Sequence, residues 1–331
     1  MIAYILKSVG QAILVLVVVV VAALAFSMFR FIGDPVANMA GQEASQQDRR
    51  ELAERLGLND PVPIQFARFL ANAAFGEFGM SYRQGRKVSA LIAERMPATV
   101  ELAVLSALLA TGFGTLLGVY TAIRRNSWGA HIVMGISLIG VSLPTFLIGI
   151  GLIYLFAVEL KWLPSFGRGE TVKLGWWTTG LLTPSGRASL IMPVLTLGFF
   201  QLTLIMRLVR AQMLETLRTD YVKFARARGL PESRIQFRHA LRNTLVPVVT
   251  IAGLQLGSVI AFAIITESVF QWPGLGALFV QAVQFVDIPV MAAYLMFVAV
   301  VFVVVNLIVD LTYVLLDPRL KSSTAVVGGG K

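Results

Sequence analysis

An all-α, polytopic membrane protein is the fold class this sequence predicts, on three observations. Six windows of 19 to 33 residues, read below as spans, contain no Asp, Glu, Lys or Arg. Only 14% of the chain is charged while 56% is hydrophobic, against about a quarter charged in ordinary soluble domains. The basic residues also fall unevenly: giving alternate loops to opposite sides leaves a net +10 on one side and zero on the other. A bilayer core takes about 20 apolar residues of helix, so each window is long enough to cross. A soluble protein with buried core helices does not show six of them.

The first window, Ser8 to Phe29, follows Lys7 and contains Ala23-Leu24-Ala25, which also suits a signal peptide. Signal h-regions run about 7–15 residues. This window is longer, so a retained first transmembrane helix is expected. The region after it is organised. Gln46 to Leu56 has helical character with Gly57 as a stop, and Asn59-Asp60-Pro61 opens a second run, Ile64 to Phe75. Ile64, Phe66, Phe69, Leu70 and Ala73 form a helical stripe there. Two short amphipathic helices on the outer interface fit this pattern, either as a cap on the helices or as a contact for a docking protein.

The remaining windows are Leu102 to Ile123, Asn126 to Val158, Ala188 to Met206, Asn243 to Thr266 and Ile288 to Val309. Pro144, just after Ser142, predicts a kink in the 33-residue window. Pro193 and Gly198 mark the fourth helix, and Gly253, Gln255, Gly257 and Ser258 the fifth. Small residues more often serve close helix packing than passage of a solute. The sixth helix carries Asn306 and Asp310. An intramembrane acid is expensive and usually paired, so Asp310 is expected to form a structural ion pair with Arg207 or Arg210, at comparable depth. The division expected is 1–32 first helix, 33–97 extracytoplasmic region, 98–320 five-helix core including the polar segment 215–243, and 321–331 flexible tail.

With both termini cytoplasmic, the inside holds 15 basic and five acidic residues and the outside 13 of each. Nine of the 13 outer basic residues lie in one long stretch, Arg30 to Arg95, and long translocated loops are largely exempt from the positive-inside rule. Both termini are therefore expected inside. The charge then faces anionic inner-leaflet lipid and a protein partner, and does not argue for nucleic acid.

The segment Glu215 to Asn243 carries seven Lys or Arg between two spans. A helix-forming run ends at Gly229, Pro231 follows, and a second run begins. Gly past a helix end and Pro at the next start are the expected punctuation for helix, tight turn, helix. A basic amphipathic helix at the inner leaflet would explain the charges but not the glycine–proline break.

The chain has no chemical machinery of its own. It has no cysteine, no GxxxxGK[ST] and no HExxH, and its two histidines, His131 and His239, are far apart. Gly328-Gly329-Gly330-Lys331 ends before any Ser or Thr. No cofactor or metal site is expected.

Ala225, Gly229, Leu241 and Pro247 give the polar segment the look of the cytoplasmic coupling loop of ABC-importer permeases. The likeness extends over Ile32-Gly33-Asp34-Pro35, Leu56 to Pro61, Phe75 to Ser81, Arg95 to Leu102, Asp220 to Thr250, Glu267 to Gly276, and Asn306 to Leu320 with Asp317-Pro318-Arg319. These blocks resemble the oligopeptide/dipeptide permease family, first (B-type) membrane subunit. Ile32 stands where that family more usually has Pro. Lys223 and Arg242 stand where the general importer pattern has Glu and Pro, which weakens a maltose-type assignment and not the peptide type.

The resemblance implies that a short helix of the segment sits in a groove of a cytoplasmic ATPase and passes its motion to the membrane helices. Such a contact needs small residues (Ala225 and Ala227), a fixed turn (Gly229 and Pro231) and charges that select register (Arg226, Arg228, Arg234); Tyr221 and His239 complete the assigned coupling residues. The implied partners are a second homologous permease in a heterodimer, two cytoplasmic ATP-binding subunits and an extracytoplasmic substrate-binding protein. The implied activity is import of peptides across a bacterial inner membrane by alternating access. Relatives within the resemblance move glutathione, nickel chelates or other small solutes, and pathway residues do not choose among them. A proton-driven secondary transporter would be expected to show acids near the midplane and internal repeats, and neither is evident. A non-transporting scaffold would leave the loop unexplained.

Overall fold

The computed structural model describes residues 9–20, 36, 45–55 and 59–316. The expectations for residues 21–35, for Gly57, for the side chain of Asp310 and for the tail 321–331 lie outside the described residues. Helix α1 covers Val9–Val20. The two short helices follow as α2, Gln46–Arg55, and α3, Val62–Ala74.

Four long elements then run between two ends of a bundle, with a broken one among them. Helix α4, Val88–Ile123, and helix α7, Pro184–Thr216, pack side by side. Helix α10, Leu241–Val269, and helix α12, Ile288–Leu316, complete them. Among the described residues, α4, α7 and Ile288–Val309 of α12 are each long and apolar enough to cross a membrane, and a bent pair makes a fourth.

That pair is α5, Trp128–Ser142, and α6, Thr145–Leu152, which continues as a π-helix over Ile153–Glu159; the bend is 113°. Pro144 disfavours helical geometry in the residue before it, and Leu143 is extended at ψ 136°. The kink expected at Pro144 is thus a full break. The neighbours of the pair lie on three elements of the bundle. Gly129 packs on Tyr120 near the end of α4, Gly140 on Phe199 and Thr203 at mid-height, and Gly149 on Thr196, Val269 and Phe270 at the far end.

Charge-free windows do not mark helix ends. Helix α4 starts at Val88 rather than Leu102, and two of its three early charges are partnered: Glu94 pairs with Arg86 at 2.9 Å and Glu101 with Arg168 at 2.6 Å. Helix α7 starts at Pro184 because Thr183 caps it, accepting from the Gly186 N–H at 3.1 Å. The glycines of the fifth window serve packing. A Cβ at Gly253 would run into Val309, and one at Gly257 into Phe302, so both let α12 approach α10.

One element departs from an all-α reading. Strands β1, Val172–Leu174, and β2, Trp177–Thr179, form an antiparallel hairpin with Leu174 opposite Trp177. Gly175, at φ +65°, supplies the first position of its two-residue turn. Three-residue strands carry too little alternation to be read from sequence. The hairpin marks one end of the bundle, the hairpin end; the polar segment marks the other, the loop end.

Candidate functional site

The polar segment at the loop end folds into a helix, a closed turn and a second helix. Helix α8, Asp220–Ala227, has Asp220 in its first turn and Arg226 in its last, which suits the helix dipole. Its C-terminus closes as a Schellman turn. The Gly229 N–H donates to the Arg226 carbonyl at 2.9 Å, and the Leu230 N–H to the Ala225 carbonyl at 3.3 Å. Gly229 sits at φ +73°, where a Cβ is strained although nothing would obstruct it within 4 Å. Leu230 packs on the buried cluster of Val222, Ala225 and Ile235, the hydrophobic contact that accompanies such turns.

Pro231 precedes the short helix α9, Glu232–Arg234, which runs through a π-helical stretch, Ile235–Ala240, into α10. Across the turn the Arg226 guanidinium donates to both Glu232 oxygens, at 2.6 and 3.3 Å. This contact holds the Glu232 carboxyl below its usual range. The amide of Asn243 donates to the Tyr221 hydroxyl at 2.8 Å, tying α8 to the root of α10.

These contacts sort the sequence-assigned residues. Ala225 faces inward and lets α8 lie close on Ile235, while Ala227 is exposed. Arg226 is engaged with Glu232, and Arg228 lies over the Phe224 ring at 5.4 Å. Arg234 is exposed, and His239 is half-buried in the π-helical stretch. Gly229 and Pro231 hold the turn. Sequence reasoning missed Phe224 and Phe237, whose rings are 64% and 57% exposed. The signal was available: Tyr221, Phe224 and the C-cap Arg228 fall at helical spacing on one face, adjoining the buried face of Val222 and Ala225. Arg207 is exposed and Arg210 half-buried on α7.

The hairpin end contains a polar framework that the sequence reading did not assign. Glu101 is 6% exposed and accepts from Arg168, from the Thr179 hydroxyl at 2.7 Å and from the Gly180 N–H at 3.1 Å. Arg168 also donates to Thr178 and lies over the Trp272 ring. Two residues earlier on α4, Thr99 donates to Glu267 at 2.6 Å and accepts from the Leu275 N–H at 2.7 Å. Glu267 in turn accepts from the Ala277 N–H at 2.9 Å, so the two side chains cap helix α11, Leu275–Gln284. The Trp272 indole donates to the Ala98 carbonyl at 3.0 Å. Asp287, at the head of α12, accepts from the Ser81 hydroxyl and from the backbone N–H groups of Tyr82 and Arg83. Burial, with Asp287 nearby, pushes the Tyr82 phenol up to about 12. Each of the three acids abuts a charge-free window by one residue, a signal of anchoring at a span end.

Long apolar helices, one end tied by buried carboxylates and the other presenting a closed helical turn, suit a multi-span membrane component. The model of the "Binding-protein-dependent transport system inner membrane component" family matches residues 114–322, and its N-terminal counterpart matches residues 1–103. The chain belongs to this family. It is therefore a non-enzymatic inner-membrane subunit of an ABC transport system, whose ATP-binding function resides in partner subunits.

Among its relatives, the dipeptide transport system permease protein DppB of Alkalihalophilus pseudofirmus is 37% identical, covering 89% of this chain and 93% of its own. The di/tripeptide permease protein DppB of Pseudomonas aeruginosa is 39% identical over 91% and 94%. The glutathione permease protein GsiC of Shigella flexneri is 37% identical over 87% and 89%. The fold is shared with an inward-facing form of the MetNI methionine ABC transporter, at a TM-score of 0.55 and 18% identity, over 69% of this chain and 96% of that one.

Proposed function

We propose that this chain is one of two permeases in a peptide importer, and that the turn at Gly229 delivers the stroke of an ATP-binding subunit to the membrane helices. The observation that carries the reading is the closed turn itself. A Schellman closure, the Arg226–Glu232 contact and the Tyr221–Asn243 bond fix α8 to the root of α10 while leaving Tyr221, Phe224 and Phe237 uncovered. A membrane-surface helix needs no such fixing. Exposed aromatics on a rigid support are what a partner groove anchors on. Tyr221, Arg228 and Arg234 border this face, and Gly229, Pro231 and the buried Ala225 keep it in register with α10.

In this reading six helices cross the membrane with both termini cytoplasmic: α1 with its continuation, α4, the α5–α6 pair, α7, α10 and α12. The division 1–32, 33–97 and 98–320 then describes first span, extracytoplasmic region and core, with α4 beginning ahead of the core boundary. The partners are a second permease as a pseudo-symmetric heterodimer, two ATP-binding subunits and an extracytoplasmic binding protein. Peptide is the substrate class supported by the dipeptide and di/tripeptide relatives, while glutathione transport by another relative keeps the class at short peptides. ATP binding closes the ATPases, the segment moves with them, and the cavity between permeases opens outward.

The chain has no native cysteine, so one introduced at Phe224 reports cleanly. Expected is crosslinking of Phe224→Cys to a cysteine in the ATP-binding subunit, with none from Lys173→Cys on the hairpin. Labelling of Phe224→Cys by an impermeant reagent in intact cells would overturn the reading.

A further inference from the structure

At the hairpin end, a cavity of about 340 Å³ opens between the start of α4, helix α11 and the head of α12. One wall is apolar, built from Leu278, Phe285 and Val290, and the other carries Arg83 and Arg95 together with Asp287, so the charged lining sums to +1. The acids around it are already engaged. Asp287 accepts from Ser81, Tyr82 and Arg83, Glu94 pairs with Arg86, and Glu267 accepts from Thr99 and Ala277. The guanidinium edges are not. Arg83 lies with its face over the Phe285 ring at 4.3 Å, and its side chain donates no hydrogen bond to a described residue. Arg95 has only a longer-range attraction to Glu267 among the described residues.

Two guanidinium groups beside an apolar wall make an amphipathic pocket with surplus positive charge. Its volume lies in the range of small-molecule sites, which bury an apolar body and fix it by a few polar groups. Guanidinium forks match carboxylate geometry. Asp287 holds the backbone of Arg83 and the Phe285 ring supports its side chain, so this arginine is positioned before any ligand arrives.

We propose that this cavity is a binding site for the free carboxylate of a short peptide with an apolar C-terminal side chain, Arg83 and Arg95 taking the carboxylate and the Leu278–Phe285–Val290 wall the side chain. The proposal rests on the peptide reading and deepens it by adding a specificity site on the permease, at its extracytoplasmic face. It makes C-terminal amides poor ligands, and it is independent of how the loop end engages an ATPase.

The test is equilibrium binding of the dipeptide Leu-Phe and of its C-terminal amide to the full chain in phosphatidylcholine nanodiscs. Leu-Phe is expected to bind at least about tenfold more tightly than the amide, the scale of a charge-assisted hydrogen bond. Arg95→Gln and Arg83→Gln should each abolish that preference, and Arg95→Lys should restore part of it, with helical content by circular dichroism unchanged in all three. Equal binding of acid and amide, or a preference surviving both glutamine variants, would overturn the proposal. So would displacement of Leu-Phe by phosphatidylglycerol in the nanodisc with no peptide preference left, which would assign the arginines to lipid phosphate. Failure here with ATPase crosslinking intact at Phe224→Cys removes this site and leaves the importer reading standing.

Discussion

At the hairpin end the carboxylates of Glu101, Glu267 and Asp287 are buried and each is held by several donors; at the loop end the pairs Lys223–Asp220 and Arg226–Glu232 are exposed. The first arrangement ties loops, hairpin and α11 to the bundle by contacts that water does not screen. The second leaves charges and aromatics accessible and fixes only the backbone turn. Buried ties resist motion, whereas an exposed, internally rigid turn can be pushed as one piece. On the proposed reading, the contrast gives stability to one end and communication to the other.

The largest expected effect is therefore at Glu101. Glu101→Ala strands the Arg168 guanidinium without its buried partner, a loss typically about 3–5 kcal/mol. The protein should lose membrane abundance or unfold at lower denaturant in detergent. A neutral outcome would mean water reaches the pair and that the hairpin end is not the rigid one.

A second expectation concerns the helices between the ends. If Asp310 pairs with Arg207 or Arg210, Asp310→Asn should destabilise the chain, and neutralising the partner arginine should shrink that loss in a double-mutant cycle. Additive effects would remove the pair and leave Asp310 free for a transport role. Topology gives a check without energetics. Single cysteines at Gln46 and Trp162 should label from outside intact cells, and one at Arg228 should not.

The smallest effect belongs to the Arg226–Glu232 pair. Both side chains are about half exposed, so Glu232→Gln should cost well under about 1 kcal/mol. The sign with pH follows from Glu232 titrating below its usual range. The pair contributes above the ordinary glutamate pKa, and its contribution fades as pH falls through the lowered one. A stability loss at Glu232 matching that at Glu101 would erase the contrast between the ends.

The two ends also differ in how far the sequence disclosed them. Gly229 and Pro231 are local punctuation, so helix, turn and helix could be read directly, and a Schellman closure needs only residues five apart. Partner choice at the hairpin end is not local. Glu101 finds Arg168 67 positions away, Thr99 finds Glu267 168 away, and Ser81 finds Asp287 206 away. No periodicity encodes such pairs. The windows located apolar stretches but not helix ends, while Pro144 hid a full break whose contacts lie on α4, α7 and α10.

The central claim, that the closed turn at Gly229 carries motion and not stability, is tested most directly by Gly229→Leu. A left-handed φ costs a non-glycine residue roughly 1–2 kcal/mol, and no described residue lies within 4 Å of a Cβ placed there. The variant should insert and accumulate normally, while peptide uptake falls and the ATP-binding subunits co-purify poorly or hydrolyse ATP without transport. Normal uptake together with normal ATPase association in Gly229→Leu would contradict the account.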